Sequence, residues 1–137
     1  MSRPTIEPLQ IGHNPDGNIL KYADSSVLSK SRELYFSAVK PKRIKGWKLH
    51  KEMTMRLAVL AGQVSFCFRS QDGSFLESHT LAFDSSTCLV VPPRIWFAFR
   101  NNSDDQGVVV NLASLEHSEQ EVVRMPVDTF PFEEVTQ

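Results

Sequence analysis

Between Lys40 and Arg56 the chain reads KPKRIKGWKLHKEMTMR, seven basic side chains against the single acid Glu52. A cluster of that density attracts an anion such as a phosphate or diphosphate. Read as a strand, the stretch sets Ile44, Gly46, Lys48 and His50 on one face. Gly46 there leaves room for a ligand or another backbone to approach. If that face is interior, a cation and a titratable imidazole project together into a cavity. In the opposite register Lys48 is a solvated lysine and His50 a hydrogen-bonded residue at a rim, and alternation alone does not choose between the two.

Such residues need a rigid frame, and the surrounding sequence supplies strands. Val64, Phe66 and Phe68 alternate with Ser65, Cys67 and Arg69, the period of a half-buried strand. The tetrad Gln71-Asp72-Gly73-Ser74 is turn chemistry, and Phe75 to Phe83 follows as the partner strand of a hairpin. The same grammar predicts strands at Leu34–Val39, Ile44–His50, Met55–Leu60, Cys88–Val91, Ile95–Arg100 and Val108–Leu112. Gly12 to Asn18 is a turn between two further strands. Only Leu115 to Arg124 suits a short helix, with Ser118 and Glu121 spaced as a capping box. The expectation is an all-β single domain over residues 1–137, its core at about 30–115, with N-terminal strands and an acidic C-terminal tail packed on it. Two packed sheets or a barrel in jelly-roll order would hold a ligand cavity in the mouth.

Composition narrows the partners. Fifteen Lys and Arg against sixteen Asp and Glu leave a net charge of −1, which argues against duplex nucleic acid. Hydrophobic residues at 41% and charged residues at 23% describe an ordinary globule. The N-terminal residues form no apolar signal core and no apolar run approaches about 18 residues, so a cytoplasmic protein without a membrane partner is expected. Cys67 and Cys88 sit in apolar runs without C-x-x-C spacing and read as buried thiols. The near-zero charge is the sum of two opposed segments: residues 30–56 carry nine basic and two acidic side chains, residues 104–137 eight acidic and one basic.

Several stretches carry a resemblance: Gly46-Trp47-Lys48-Leu49-His50-Lys51, Gly62-Gln63-Val64, Val91-Pro92-Pro93-Arg94-Ile95-Trp96-Phe97 through Asn102, and Asn111-Leu112-Ala113. With Tyr35-Phe36-Ser37 and the tail from Glu119 to Phe132, the chain resembles an RmlC-like cupin of the dTDP-4-dehydrorhamnose 3,5-epimerase superfamily, over about Pro8 to Glu134. The resemblance implies a cupin jelly roll (double-stranded β-helix) and a homodimer. Metal-binding cupins carry G-x5-H-x-H-x3,4-E-x6-G and a later His; at those positions this chain has Lys48, His50, Met55 and Phe97. One imidazole out of four donors does not hold a metal, so no metal and no cofactor is expected.

The epimerase motif R-G-L-H-x-Q is similar to Lys45, Gly46, Lys48 and His50, with a family lysine falling at Met55 and a family tyrosine near Val110. A sister group, the 3,4-ketoisomerases, has R-G-x-H-x-H and a tyrosine; its second His matches His50, its first is Lys48, and Tyr35 lies near the tyrosine. The resemblance therefore implies His50, Lys48 and Tyr35 as catalytic residues. An imidazole titrating near pH 6.5 suits removal of a proton next to a carbonyl. Lys48 would stabilise the enolate or, desolvated, act as base itself. Lys45, Arg43, Arg56, Arg100, Asn101 and Asn111 would meet diphosphate or ribose, and Trp96 and Phe97 would stack on base or sugar. Asp128 would orient the catalytic His or pair with Lys48, and His13, His79 and His117 read as exposed. The implied activity is metal-free isomerisation or epimerisation of a nucleotide-diphosphate 4-keto-6-deoxy sugar. The alternative is a cupin that has lost catalysis and binds a sugar nucleotide or similar anion without turnover.

Overall fold

A computed structural model describes residues 2–133. Its strands form two five-stranded antiparallel sheets. The first holds, in spatial order, β1 (Thr5–Pro8), β9 (Thr87–Val91), β6 (Met55–Ala61), β11 (Gly107–Ala113) and β4 (Glu33–Val39). The second holds β12 (Val122–Arg124), β5 (Ile44–His50), β10 (Ile95–Asn101), β7 (Gln63–Ser70) and β8 (Leu76–Ala82). From β4 to β12 the chain changes sheet at nearly every step, and only the β7–β8 hairpin stays in one sheet. This is the jelly-roll order that the strand spacing predicts, and the eight expected central strands are all present. β2 (Gln10–Gly12) and β3 (Ile19–Lys21) form a separate small ribbon around the expected turn.

Period-two alternation places the core between the sheets. Phe66 and Phe68 from β7 and Phe97 and Phe99 from β10 face Leu57 and Val59 from β6 and Val109 from β11, all at most 5% exposed. Burying each such side chain contributes about 1.5–3 kcal/mol. Cys67 and Cys88 are buried and unpaired, as their apolar settings predict. Among the described residues no helix is long and apolar enough to cross a membrane.

Two local expectations are corrected. Leu115 to Arg124 is not helical: a turn leads into β12, and among the described residues the one α-helix, α1 (Ser25–Ser29), lies elsewhere, capped by the Asp24 carboxylate accepting from Val27 N at 3.0 Å. Ser118 and Glu121 do not form a capping box because Glu121 is drawn inward by His50 and by the Met53 N–H just beyond it.

The second correction concerns β5. Lys48 pairs with Phe97, but Gly46 pairs with the very next residue of β10, Ala98, so Trp47 is the extra residue of a bulge. The bulge resets the alternation. Lys45, opposite the inward Phe99, shares the inner face with Lys48 and His50, whereas Gly46 stands opposite Ala98 on the outer face. Ile44 and Trp47 also turn outward, onto Cys67, Ala98 and Phe130. Gly46 is required there: at φ +154°, a Cβ would lie 2.4 Å from Ala98 Cβ.

Trp47 in turn clamps the C-terminal segment. Its indole Nε1 donates to the carbonyls of Val127 and Phe130, both at 3.2 Å. Its backbone exchanges hydrogen bonds with Met125 at 3.1 and 3.0 Å. Phe130 meets the indole edge-on at 5.3 Å, under the Arg69 guanidinium. Through this clamp the acidic tail is held on the outer face of the second sheet, and β12 is laid against β5 beside Lys48 and His50.

Candidate active site

A cavity of about 520 Å³ opens between the sheets. β5 sends Lys48 and His50 into it from one side, and β4 and β11 send Tyr35 and Asn111 from the other. Met55, Leu57, Phe97, Phe99 and Val109 make its walls apolar, so polar groups inside act in a low dielectric. The cavity volume fits a sugar-sized ligand rather than a macromolecule.

His50 is 3% exposed, and its Nδ1 lies 2.6 Å from Glu121 Oε1. The other carboxylate oxygen of Glu121 accepts the backbone N–H groups of Glu52 at 2.8 Å and Met53 at 3.0 Å. Burial pushes Glu121 up, but those N–H groups and His50 outweigh it, and the carboxyl stays below the usual range. An ionised Glu121 keeps the proton of the neutral imidazole on Nδ1 and leaves the Nε2 lone pair as its basic site. Burial also lowers the His50 pKa, with the Glu121 contribution opposing it and Lys48 reinforcing it, so the ring is neutral near pH 7. Phe97 stacks beside it at 5.7 Å and 19°, fixing the ring plane.

Lys48 stands directly across from Phe97 on one side and Arg124 on the other. Among the described residues its ammonium has no hydrogen-bond or ion-pair partner. Burial, then Arg124 and Lys45, lower its pKa. Arg124 is itself held by Glu119, at 3.1 and 3.0 Å, and Glu119 also meets His117 at 3.1 Å. These bonds hold the exposed Glu119 carboxyl down to about 2. Arg124 and His117 line the mouth of the cavity, where the amide N–H of His117 also binds Glu33.

Tyr35 accepts a hydrogen bond from Asn111 Nδ2 at 2.9 Å, and burial raises its pKa, so it remains a protonated phenol. The site thus holds a neutral base backed by a carboxylate, an unpaired cation and a phenolic donor. That set removes a proton next to a carbonyl, stabilises the resulting oxyanion, and returns a proton.

Of the residues expected at a ligand, His50, Lys48, Tyr35, Phe97 and Asn111 line the cavity. The others are placed outside its lining. Arg56 lies on the outer face of β6, where it pairs with Glu7 at 2.9 Å and donates to the Tyr22 carbonyl at 3.1 Å, because Met55 and Leu57 take the inner positions. Trp96 faces outward against Phe130. Arg100 binds Asn102 and covers the Phe132 ring. Asn101 is fully buried and ties the Val39 and Asp105 carbonyls together at 3.0 and 2.8 Å. Lys45 reaches the Ala38 carbonyl at 3.4 Å, and Arg43 is exposed in the loop before β5. Asp128 is exposed, and the carboxylate on the imidazole is Glu121 instead. His79 is largely covered beside Glu77 and Phe68, whereas His13 and His117 are exposed as their contexts suggest, His117 at the cavity mouth.

The four metal positions implied by the resemblance, Lys48, His50, Met55 and Phe97, do converge on the cavity, yet with one imidazole among them. Among the described residues no group of three or more His, Cys, Asp or Glu side chains is placed to hold a metal ion.

Residues 4–132 match the family model described as FdtA, WxcM-like, C-terminal. No curated protein matches the chain in sequence. Among solved structures, the chain is similar to a dTDP sugar isomerase from Desulfovibrio desulfuricans G20, at 29% identity and a TM-score of 0.83, covering 95% of this chain and 89% of that one. The 3,4-ketoisomerase QdtA from Thermoanaerobacterium thermosaccharolyticum, solved as a mutant with TDP-4-keto-6-deoxyglucose, superposes with a TM-score of 0.76 at 17% identity, over 91% of this chain and 89% of that one. A dTDP-4-dehydrorhamnose 3,5-epimerase from Bacillus anthracis, solved with TDP and PPi, gives 0.80 at 13% identity, over 97% and 86%. The last two likenesses are of fold, and the fold is the RmlC-like cupin.

Proposed function

The chain belongs to the FdtA, WxcM-like C-terminal family, and from that membership and the cavity chemistry we propose that it is an isomerase or epimerase of a nucleotide-diphosphate 4-keto-6-deoxy sugar. The observation that carries the proposal is the neutral His50, backed by Glu121 at 2.6 Å, in one cavity with Lys48 and Tyr35. Nε2 of His50 takes the proton from the carbon next to the ketone. The electrons of that C–H bond form the C=C bond of an enolate, whose negative oxygen is stabilised by the Lys48 ammonium. Returning the proton to the same carbon from the opposite face gives an epimer. Returning it to the former carbonyl carbon, while the neighbouring hydroxyl passes its proton to the enolate oxygen, moves the ketone by one position. For the epimer Tyr35 supplies the opposite-face proton, and water then takes the proton left on His50 and restores the phenol. Atoms and electrons balance without an oxidant or a metal. Arg124, at the mouth, meets the diphosphate.

A thermal-shift screen over dTDP-, UDP-, GDP- and CDP-linked sugars, followed by solvent-deuterium exchange with each stabilising ligand, tests this reading. Exchange into the sugar is expected, together with its loss in His50→Asn by about 10²-fold or more. Full exchange in His50→Asn removes His50 from the mechanism. Stabilisation without exchange identifies a binding protein instead.

A further inference from the structure

We propose that Asn111 is a positioning residue that orients the Tyr35 phenol, so that Tyr35 presents its O–H, rather than a lone pair, to the ligand. The inference deepens the proton-transfer reading above and rests on it.

Asn111 is 2% exposed and its amide is fully engaged inside the protein. Oδ1 accepts the backbone N–H of Arg56 at 3.1 Å. A backbone N–H only donates, so the amide cannot be turned round, and Nδ2 must occupy the other end. From there Nδ2 donates to the Tyr35 hydroxyl at 2.9 Å and lies 3.8 Å from the sulfur of Met53. An amide nitrogen has no lone pair to offer. The phenolic oxygen is therefore the acceptor, and its single hydrogen must point away from Asn111.

The register makes the arrangement stiff. Tyr35 and Asn111 are direct cross-strand partners in the β4–β11 pair, so two backbones set their separation. The phenol lines the cavity opposite the strand that carries His50 and Lys48. Its free O–H faces the ligand, and the ligand atom that meets it must accept: a ketone or enolate oxygen fits, whereas an alcohol hydrogen does not. A donor already aimed strengthens as negative charge develops on that oxygen, and no reorientation is needed during reaction. The asparagine is thereby removed from the set of direct ligand contacts, since both ends of its amide are occupied.

Asn111→Asp tests the polarity. The aspartate keeps an acceptor for Arg56 N–H but places a second carboxylate oxygen where Nδ2 stood, so the phenol turns its hydrogen to the carboxylate. Expected is a folded protein whose kcat for solvent exchange falls about 10²-fold, to the level of Tyr35→Phe, with little change in KM. The double variant Asn111→Asp with Tyr35→Phe should be no slower than Tyr35→Phe alone. A kcat at the unsubstituted level, or losses that multiply in the double variant, overturns the inference. If Asn111→Asp does not fold, Asn111→Ser frees the phenol without adding charge, and the same non-additivity is required of it.

A substrate-free measurement separates this inference from the functional reading. With ¹³C-labelled tyrosine, the Cζ resonance of Tyr35 should move toward the tyrosinate position in Asn111→Asp; no movement overturns the inference. If no sugar nucleotide is turned over by the unsubstituted protein, the functional reading fails while the resonance still reports which way the phenol points.

Discussion

Nδ1 of His50 lies 2.6 Å from Oε1 of Glu121, a contact that joins residues 71 positions apart in the chain. The same carboxylate accepts two backbone N–H groups from the turn that follows β5. One side chain from the acidic tail therefore fixes both the proton position on the imidazole and the exit of the strand that carries it.

Replacing Glu121 should separate those two effects from simple loss of a contact. Glu121→Ala leaves the N–H groups of Glu52 and Met53 without their acceptor and is expected to cost about 1–3 kcal/mol in urea unfolding. Glu121→Gln keeps an oxygen for the turn but offers no charge to the imidazole. It should lose less stability than the alanine variant while its exchange rate falls nearly as far. A glutamine variant with unaltered exchange would show that the imidazole needs no carboxylate.

Acid should destabilise the fold through the same pair. Burial lowers the His50 pKa, and the N–H groups and His50 hold Glu121 low despite its burial. In both cases the unfolded chain binds the proton more readily than the folded one, so stability is complete above the unfolded value and declines as pH falls toward the folded one. The decline begins below about pH 6.5 for His50 and is joined by Glu121 below about pH 4.3. Thermal melts should show Tm falling between pH 7 and pH 5, with a smaller fall in His50→Asn. Equal falls in the two proteins would place the acid sensitivity elsewhere.

Much of this frame was legible in the sequence because it follows from period-two alternation. Val64, Phe66 and Phe68 point inward as read, the central strands lie where their apolar runs are, and Lys48 and His50 do share one face. Ile44 and Gly46 leave that face because the Trp47 bulge adds one residue to β5, and a bulge depends on the partner strand, here Ala98 beside Phe97. Glu121 has a spacing from Ser118 that fits a helix cap and so points to the wrong local structure. Its tertiary partners, three groups on and just after β5, leave no mark near residue 121. Basic residues such as Arg56 and Arg100 carry no sign of which face of their strand is covered by other parts of the chain.

Lys48 should cost the protein stability. Its ammonium is partly buried, makes no hydrogen bond or ion pair among the described residues, and stands across from Arg124. A like-charged cross-strand pair is destabilising by up to about 1 kcal/mol. Lys48→Met, close in length and apolar, is expected to raise stability by roughly 1 kcal/mol in denaturant unfolding while lowering exchange into the sugar, the pattern of a functional residue held against folding. A variant that is both less stable and fully active would contradict the role given to the ammonium.

The bulge is the most exposed point of the design, because the face presented by Lys48 and His50 depends on it. Gly46 has φ +154° and lies so close to β10 that a methyl group would sit 2.4 Å from Ala98 Cβ and 2.8 Å from its Cα. Neither neighbour is a flexible side-chain end, so the strands must part or the bulge must move. Gly46→Ala is therefore expected to destabilise by about 2–4 kcal/mol, the range of severe overpacking combined with a strained backbone. The loss should spread to the tail: with Trp47 displaced, the carbonyls of Val127 and Phe130 lose their indole donor and β12 loosens. Limited proteolysis should then cut the segment after Glu121 faster than in the unsubstituted protein. Trp47→Phe, which leaves Gly46 in place and removes only the indole N–H, should reproduce the faster cleavage with a smaller loss of stability. If Gly46→Ala unfolds at the same denaturant concentration as the unsubstituted protein, the bulge is not what sets the inner face of β5.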